Sequence, residues 1–264
     1  RRRRSLKETG GAGNRPFDLR KWSVNNMRVL VGCEFTGAVR RKFREKGHDA
    51  WSNDILPAAD GSPHHLRMDV FKAIADHGPW DLGIFHPDCT YLTVAAEWCY
   101  SDDAARKAET RGSNALFGSA RRKARDEAVE FFRKLWESPI PKVCIENPVG
   151  VIPSRLGLRA TQIVQPNEYG HDARKATCLW LRGGLQPLKP TLHVPPKHGC
   201  PACKVKFAYD EDESDCPVCG IKLKLVWGNQ TPGGQNALGP TEDRWALRAA
   251  TYDGIASAMA ETWG

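Results

Sequence analysis

The sequence predicts an alternating α/β fold on a mostly parallel sheet, with a small four-cysteine ribbon inserted near its end. Three observations predict it. Short apolar runs alternate with segments of helical period, each run stops at a cluster of polar residues, and four of the nine cysteines form two Cys-x-x-Cys pairs separated by twelve residues. With 41% hydrophobic and 27% charged residues in a chain of 264, the composition is that of a globular protein with a real core, which excludes disorder throughout.

The elements follow in order. Arg28 to Val31 is a short apolar strand, and Thr36 to Lys46 is a helix with Val39 and Phe43 on one face, closed by Gly47. A second strand fits Ala50 to Asn53, and Leu82 to Phe85 and Val143 to Ile145 are buried strands. Between those two, Ala124 to Trp136 is a helix whose Ala128, Phe132, Leu135 and Trp136 share a face. After a strand at Cys178 to Leu181, Pro187, Pro190, Pro195 and Pro196 mark a linker into the ribbon, and a Gly-rich stretch from Gly228 to Gly239 leads out of it. Asp243 to Thr262 is a closing helical region broken near Gly254. The expected organisation is a basic, disordered tail over 1–26, a main domain over 27–186 plus 240–264, and a ribbon insert over 187–239.

The net charge of +8 points to a polyanionic partner, and its distribution is uneven. Residues 1–26 hold six Arg and two Lys against Glu8 and Asp18. A second basic run holds Arg106, Lys107, Arg111, Arg121, Arg122, Lys123 and Arg125 against Glu109. No run approaches the ~18 apolar residues of a membrane helix, and no apolar stretch follows the Arg-rich start. The expectation is a soluble, cytoplasmic, monomeric protein without a membrane partner.

In an open α/β sheet, ligands sit beyond the carboxyl ends of the strands. Here those positions hold Gly32, Cys33, Glu34, Phe35, Thr36 and Gly37, then Asp54, Asp69, His86-Pro87-Asp88-Cys89, and Glu146-Asn147-Pro148. An acidic residue ending the second strand suits a ribose diol, whereas neither Gly-x-Gly-x-x-Gly nor a Walker loop is present to cradle phosphates. A nucleoside cofactor without pyrophosphate suggests S-adenosyl-L-methionine.

On these residues the chain resembles the DNA cytosine-5 methyltransferase family, in particular its short phage and prophage forms. Val29 to Gly37, with Phe43 and Gly47, is similar to the cofactor loop and first helix, which places Glu34, Phe35 and Gly37 at the cofactor. Asp54-Ile55 resembles the ribose-holding pair, Asp69-Val70 the adenine reader, and His86-Pro87-Asp88-Cys89 the Pro-Cys nucleophile motif, with Pro87 against the cofactor. Cys144 to Pro148 resembles the Glu-Asn motif, Tyr169-Gly170 with Arg174 and Lys175 the Gln-x-Arg-x-Arg region, and Gly254-Ile255-Ala256 the C-terminal cofactor motif. The resemblance implies a Rossmann-like methyltransferase acting on DNA in a bacterial or phage-infected cell.

The chemistry agrees with those assignments. Neutral cytosine is too electron-poor at carbon 5 to take a methyl group, so a nucleophile must first add at carbon 6. Cysteine is the best nucleophile near neutral pH, which makes Cys89 the catalytic candidate. Glu146 would then donate to N3, Lys175 or Arg174 would hold the carbonyl oxygen, and the base would leave the helix stack. Asp88 stands where the family usually has Pro, and its charge opposes thiolate formation. Arg106, Lys107, Arg111, Arg121, Arg122 and Lys123, interleaved with Gly112, Ser113, Gly118 and Ser119, suit phosphate contacts by a loop that closes on DNA.

Cys200, Cys203, Cys216 and Cys219 place four thiolates as a structural zinc site requires. Two other readings stay open on the sequence alone. One is a methyltransferase acting on RNA, on a nucleotide or at another atom; the other is a binding module that holds DNA without catalysis.

Overall fold

The computed structural model describes residues 26–104, 115–239, 241–242 and 244–264. The main sheet has seven strands: β1 (Arg28–Gly32), β2 (Asp49–Asp54), β3 (His65–Arg67), β4 (Leu82–Phe85), β5 (Lys142–Pro148), β6 (Gln162–Val164) and β7 (Thr177–Arg182). Their order is β3-β2-β1-β4-β5-β7-β6. The first five run parallel to one another, and β7 runs antiparallel to both β5 and β6. The Rossmann-like α/β class expected from the sequence is therefore present.

The apolar runs are buried on both faces, and their alternation sorts them. Val29, Val31, Leu82, Ile84 and Cys144 face one side with α1 (Ala38–Glu45) and the C-terminal α6 (Asp253–Trp263). Leu30, Phe85, Val143 and Ile145 face the other with α2 (Val70–His77) and α3 (Gly118–Trp136). This two-residue period places one helical layer on each face. Val39 and Phe43 of α1, and Phe132 and Leu135 of α3, are fully buried, as the helical spacing predicts.

Several expectations are corrected. Neither β3 nor α2 was expected beyond Asp69, which turns out to be the N-cap of α2, its Oδ1 accepting from the N–H groups of Phe71 and Lys72 at 3.0 and 3.2 Å. Helix α3 begins at Gly118 instead of Ala124, because Arg121 and Arg125 of its first turns are drawn inward onto Tyr91 and Tyr100. The closing helical region breaks before Gly254, between α5 (Arg244–Ala249) and α6. Gly254 lies in the first turn of α6, where a Cβ would sit 1.9 Å from Tyr169 O. The short α4 (Ile152–Leu156) follows β5.

Between Lys197 and Val226 a second, antiparallel sheet forms from β8 (Lys197–Gly199), β9 (Lys206–Phe207) and β10 (Lys224–Val226), in the order β10-β8-β9. No helix among the described residues is long and apolar enough to cross a membrane. Residues 1–25 lie outside the described residues, as do Arg106, Lys107 and Arg111 of the basic run.

Candidate active site

Register assembles the site. Gly32 pairs with Asn53 and Phe85, and Phe85 with Ile145, so β1 and β4 end at the level of Ile145, while β2 runs one residue further and β5 three, paired there with β7. Asp54, Cys33, His86 and Glu146 therefore share one edge. The reversal of β7 adds a fifth contributor. Thr177 pairs with Pro148 at that edge, so it is the residues before β7, Arg174 and Lys175, that arrive there.

At the β1 side, Cys33 adopts a left-handed φ of 59°. Burial, then Asp54, Asp69 and Asp88, push its thiol up to about 12. Asp54 is half-buried, with Oδ1 accepting from Leu56 N at 2.9 Å, and Asp69 is exposed. Phe35 lies against Trp245 with ring centroids 5.4 Å apart, while Ile55 is 74% exposed. The three carboxylates make this edge acidic, which favours a cationic group over a phosphate. Two of the expected cofactor residues have close contacts within the chain. Glu34 is buried, its carboxylate accepting from the N–H groups of Val39 at 2.7 Å and Arg40 at 3.4 Å, so it caps α1. Gly37 has a φ of 67°, and a Cβ there would meet the guanidinium of the buried Arg40.

Cys89 follows β4 and is partly buried. Burial raises its thiol pKa, as do Asp88 and Glu146, while Lys175 and Arg248 lower it. Asp88 is not held by Lys175 or Arg174. Its Oδ1 accepts from Thr90 N at 2.9 Å and Thr90 Oγ1 at 2.6 Å, an Asx turn that fixes the loop. Glu146 lies 3.1 Å through Oε2 from His86 Nδ1. Burial raises its carboxyl pKa, but His86, Lys175 and Thr177 together outweigh that and leave it below the usual carboxylate range. Asn147 Nδ2 donates to Pro87 O at 2.8 Å, which ties the Glu-Asn turn to the cysteine loop. Arg248 and His86 were not among the expected catalytic residues; Arg248 lies in a helix that carries no motif, and the importance of His86 depends on strand register.

Lys175 Nζ donates to Arg248 O at 2.9 Å. Arg174 is exposed, and its guanidinium lies over Trp227 at 5.1 Å. The backbone of Arg174 is clasped from the ribbon side, donating to Asn229 Oδ1 and accepting from Asn229 Nδ2, both at 3.0 Å. Asp172 pairs with Lys197 and accepts from Gly228 N. The segment carrying Lys175 is thus bolted to the exit of the ribbon.

The four ribbon sulfurs lie within 4.8 Å of one another, Cys200 to Cys219 at 3.6 Å and Cys203 to Cys216 at 3.8 Å. Four thiolates ~2.3 Å from one tetrahedral zinc would be ~3.8 Å apart, so the spacing is compatible with that ion. In each knuckle the first cysteine accepts at its carbonyl from the residue after the second, Lys204 N and Gly220 N, both with left-handed φ.

Arg121, Arg122 and Lys123 of the basic run lie in α3 and not in a loop. Arg121 is 7% exposed and donates to Leu116 O and Thr90 O, so its charge braces the loop after Cys89. Arg122 donates to Tyr100 O at 2.6 Å and to Asp102 at 2.9 Å. Lys123 is exposed, with Glu127 at 4.0 Å.

No family model matches the chain, and no curated protein matches it in sequence. Among solved structures it is similar to a candidate DNA modification methyltransferase encoded within an E. coli prophage, at 15% identity and a TM-score of 0.39, over 65% of this chain and 53% of that one. It is also similar to the Entamoeba histolytica methyltransferase EhMeth, at 14% identity and a TM-score of 0.38, over 64% of this chain and 57% of that one. The chain thus spans little more than half the length of either.

Proposed function

We propose that the protein is an S-adenosylmethionine-dependent methyltransferase that modifies cytosine at carbon 5 in DNA, with a zinc-stabilised ribbon. The observation that carries this reading is the convergence of a thiol, a carboxyl group and a lysine, Cys89, Glu146 and Lys175, from β4, β5 and the segment before β7. The motif resemblance supplies the reaction, and the acidic edge beside them, with Asp54 and Asp69, is where the cofactor would lie. When bound, that cofactor supplies an electrophilic methyl group.

In this reading Cys89 Sγ forms a bond to carbon 6 while Glu146 protonates N3, and Lys175 faces the carbonyl oxygen. After carbon 5 has gained its methyl group it gives its proton to water, and as the bond to Cys89 breaks N3 returns its proton to Glu146, which restores the aromatic base. Asp54 holds the ribose, with Phe35 and Ile55 flanking the adenine. Arg174 supports Lys175 through its backbone, and the exposed Lys123 touches phosphate.

Digestion of treated DNA to nucleosides, followed by mass spectrometry, tests the reading. The expected product is 5-methylcytosine. Methyl on another base atom, on RNA or on a free nucleotide would replace the assigned substrate, and DNA binding without any transfer would make the protein a binding module.

Two variants probe the parts. Asp54→Ala should weaken S-adenosylmethionine binding about tenfold or more in calorimetry, as loss of a charged acceptor does; unchanged affinity would remove Asp54 from the cofactor site. Because burial and Asp88 both raise the Cys89 thiol, adduct formation with fluorinated DNA should accelerate as pH rises. Asp88→Asn should speed it roughly two- to tenfold at neutral pH and move the rise to lower pH. An unshifted profile would show that Asp88 serves only its turn.

A further inference from the structure

His86 lies between two carboxylates. Its backbone N–H donates to Gly32 O at 3.0 Å, which pins it to the first position beyond β4. Its Nδ1 is 3.1 Å from Glu146 Oε2, with only 7% of its side chain and 17% of that of Glu146 exposed. On the β1 side stands Glu34: burial raises its carboxyl pKa, and His86 is the largest influence opposing that rise. The charged groups facing this arrangement are Glu34 from the loop after β1, Glu146 from β5, and Lys175 beside Glu146 from the segment before β7, with Asp88 and Cys89 following in the same loop as His86. The other ring nitrogen, Nε2, is buried without a hydrogen-bond partner among the described residues. A buried polar atom left unpaired is costly, and beside two carboxylates it points to a functional arrangement. A purely structural role would be met by an apolar residue or a neutral amide.

We propose that His86 is the proton reserve of Glu146, positioning its carboxylate through Nδ1–H and passing it the proton that the substrate base takes on its ring nitrogen. This rests on the reading of Glu146 as the group that faces that nitrogen. The Nδ1 proton of the imidazolium moves to ionised Glu146, and the carboxyl so formed protonates the base as Cys89 adds to it. His86 is left neutral. When the bond to Cys89 breaks, the base returns its proton to Glu146 and thence to His86, so protons balance and no oxidant or reductant enters. His86 acts through Glu146 and is a positioning residue.

Two measurements on the intact chain test this. Nuclear magnetic resonance of the His86 ring should show its Nδ1 proton hydrogen-bonded to Glu146 in the wild type and that signature lost in Glu146→Gln; an identical ring spectrum in the two overturns the proposal without reference to activity. His86→Asn keeps a donor but cannot titrate. It should lower methyl transfer roughly 10- to 100-fold at pH 7.5 with KM for DNA unchanged. Its rate relative to wild type should recover as pH falls and Glu146 protonates unaided, and it should cost little more in the Glu146→Gln background. A ratio constant with pH would reduce His86 to packing and overturn the proposal. Should that signature be found while the wild type makes no 5-methylcytosine, the contact between His86 and Glu146 stands, but the assigned reaction and the delivery step fall together.

Discussion

Replacing Cys89 by serine is expected to remove methyl transfer by roughly 10⁴-fold or more, the loss typical of deleting a covalent nucleophile. The clearest readout is a covalent complex with DNA containing 5-fluorocytosine. Fluorine blocks loss of the group at carbon 5 and strands the thioether, so the wild type should be trapped and Cys89→Ser should not. The thiol is half-enclosed by the loop that Arg121 and Arg125 brace through Thr90 O and Tyr91 O, so the substitution removes a single atom's chemistry from an otherwise fixed loop. An unchanged melting temperature with full DNA affinity would separate chemistry from folding. Trapping that survives in Cys89→Ser would move the nucleophile elsewhere.

The second large effect concerns the ribbon. Chelation, or the double substitution Cys200→Ser and Cys216→Ser, should unfold residues 197–226, because zinc binding supplies about 10–16 kcal/mol to such sites. The ribbon strands are only two or three residues long and bury little beside Val226 and Trp227. Asn229 clasps the backbone of Arg174, so the loss should spread to the segment carrying Lys175 and lower methyl transfer as well. Elemental analysis should find one zinc per chain. Full thermal stability in the double variant, or a metal-free protein, would refute this.

What could be read from the sequence was whatever a local pattern encodes. The runs Val29 to Val31 and Leu82 to Phe85 are apolar throughout because both faces of a parallel strand are covered, and the polar residue that ends each run lies at the ligand edge. Strands β3 and β6 have three residues each, too few to establish a period. The start of α3 was hidden for a different reason. Gly118, Ser119 and four cationic residues resemble a loop, and only the stacking of Arg121 and Arg125 on distant tyrosines makes that segment an inward-facing helical turn. Within the site, the sequence expects Val143 to Ile145 to end before Glu146, whereas β5 runs on to Pro148 because β7 pairs with it there. The capping role of Glu34 and the contact between His86 and Glu146 were not legible, since they depend on how α1 starts and on which strand lies beside β4. The turn that occupies Asp88 is local, yet its hydrogen bonds to Thr90 compete with cations that the fold brings from elsewhere.

The direction of β7 has a further consequence. Had it run with its neighbours, Arg174 and Lys175 would lie at the opposite end of the sheet, and the ligand edge would be acidic from β3 to β5. Reversed, it brings Lys175 to that edge, so the acids acting on Cys89, Asp88 and Glu146, are opposed there by Lys175 and Arg248, whereas only Asp54, Asp69 and Asp88 act on Cys33. On the proposed reading, a small cation would be drawn to the β1 end before it made any specific contact.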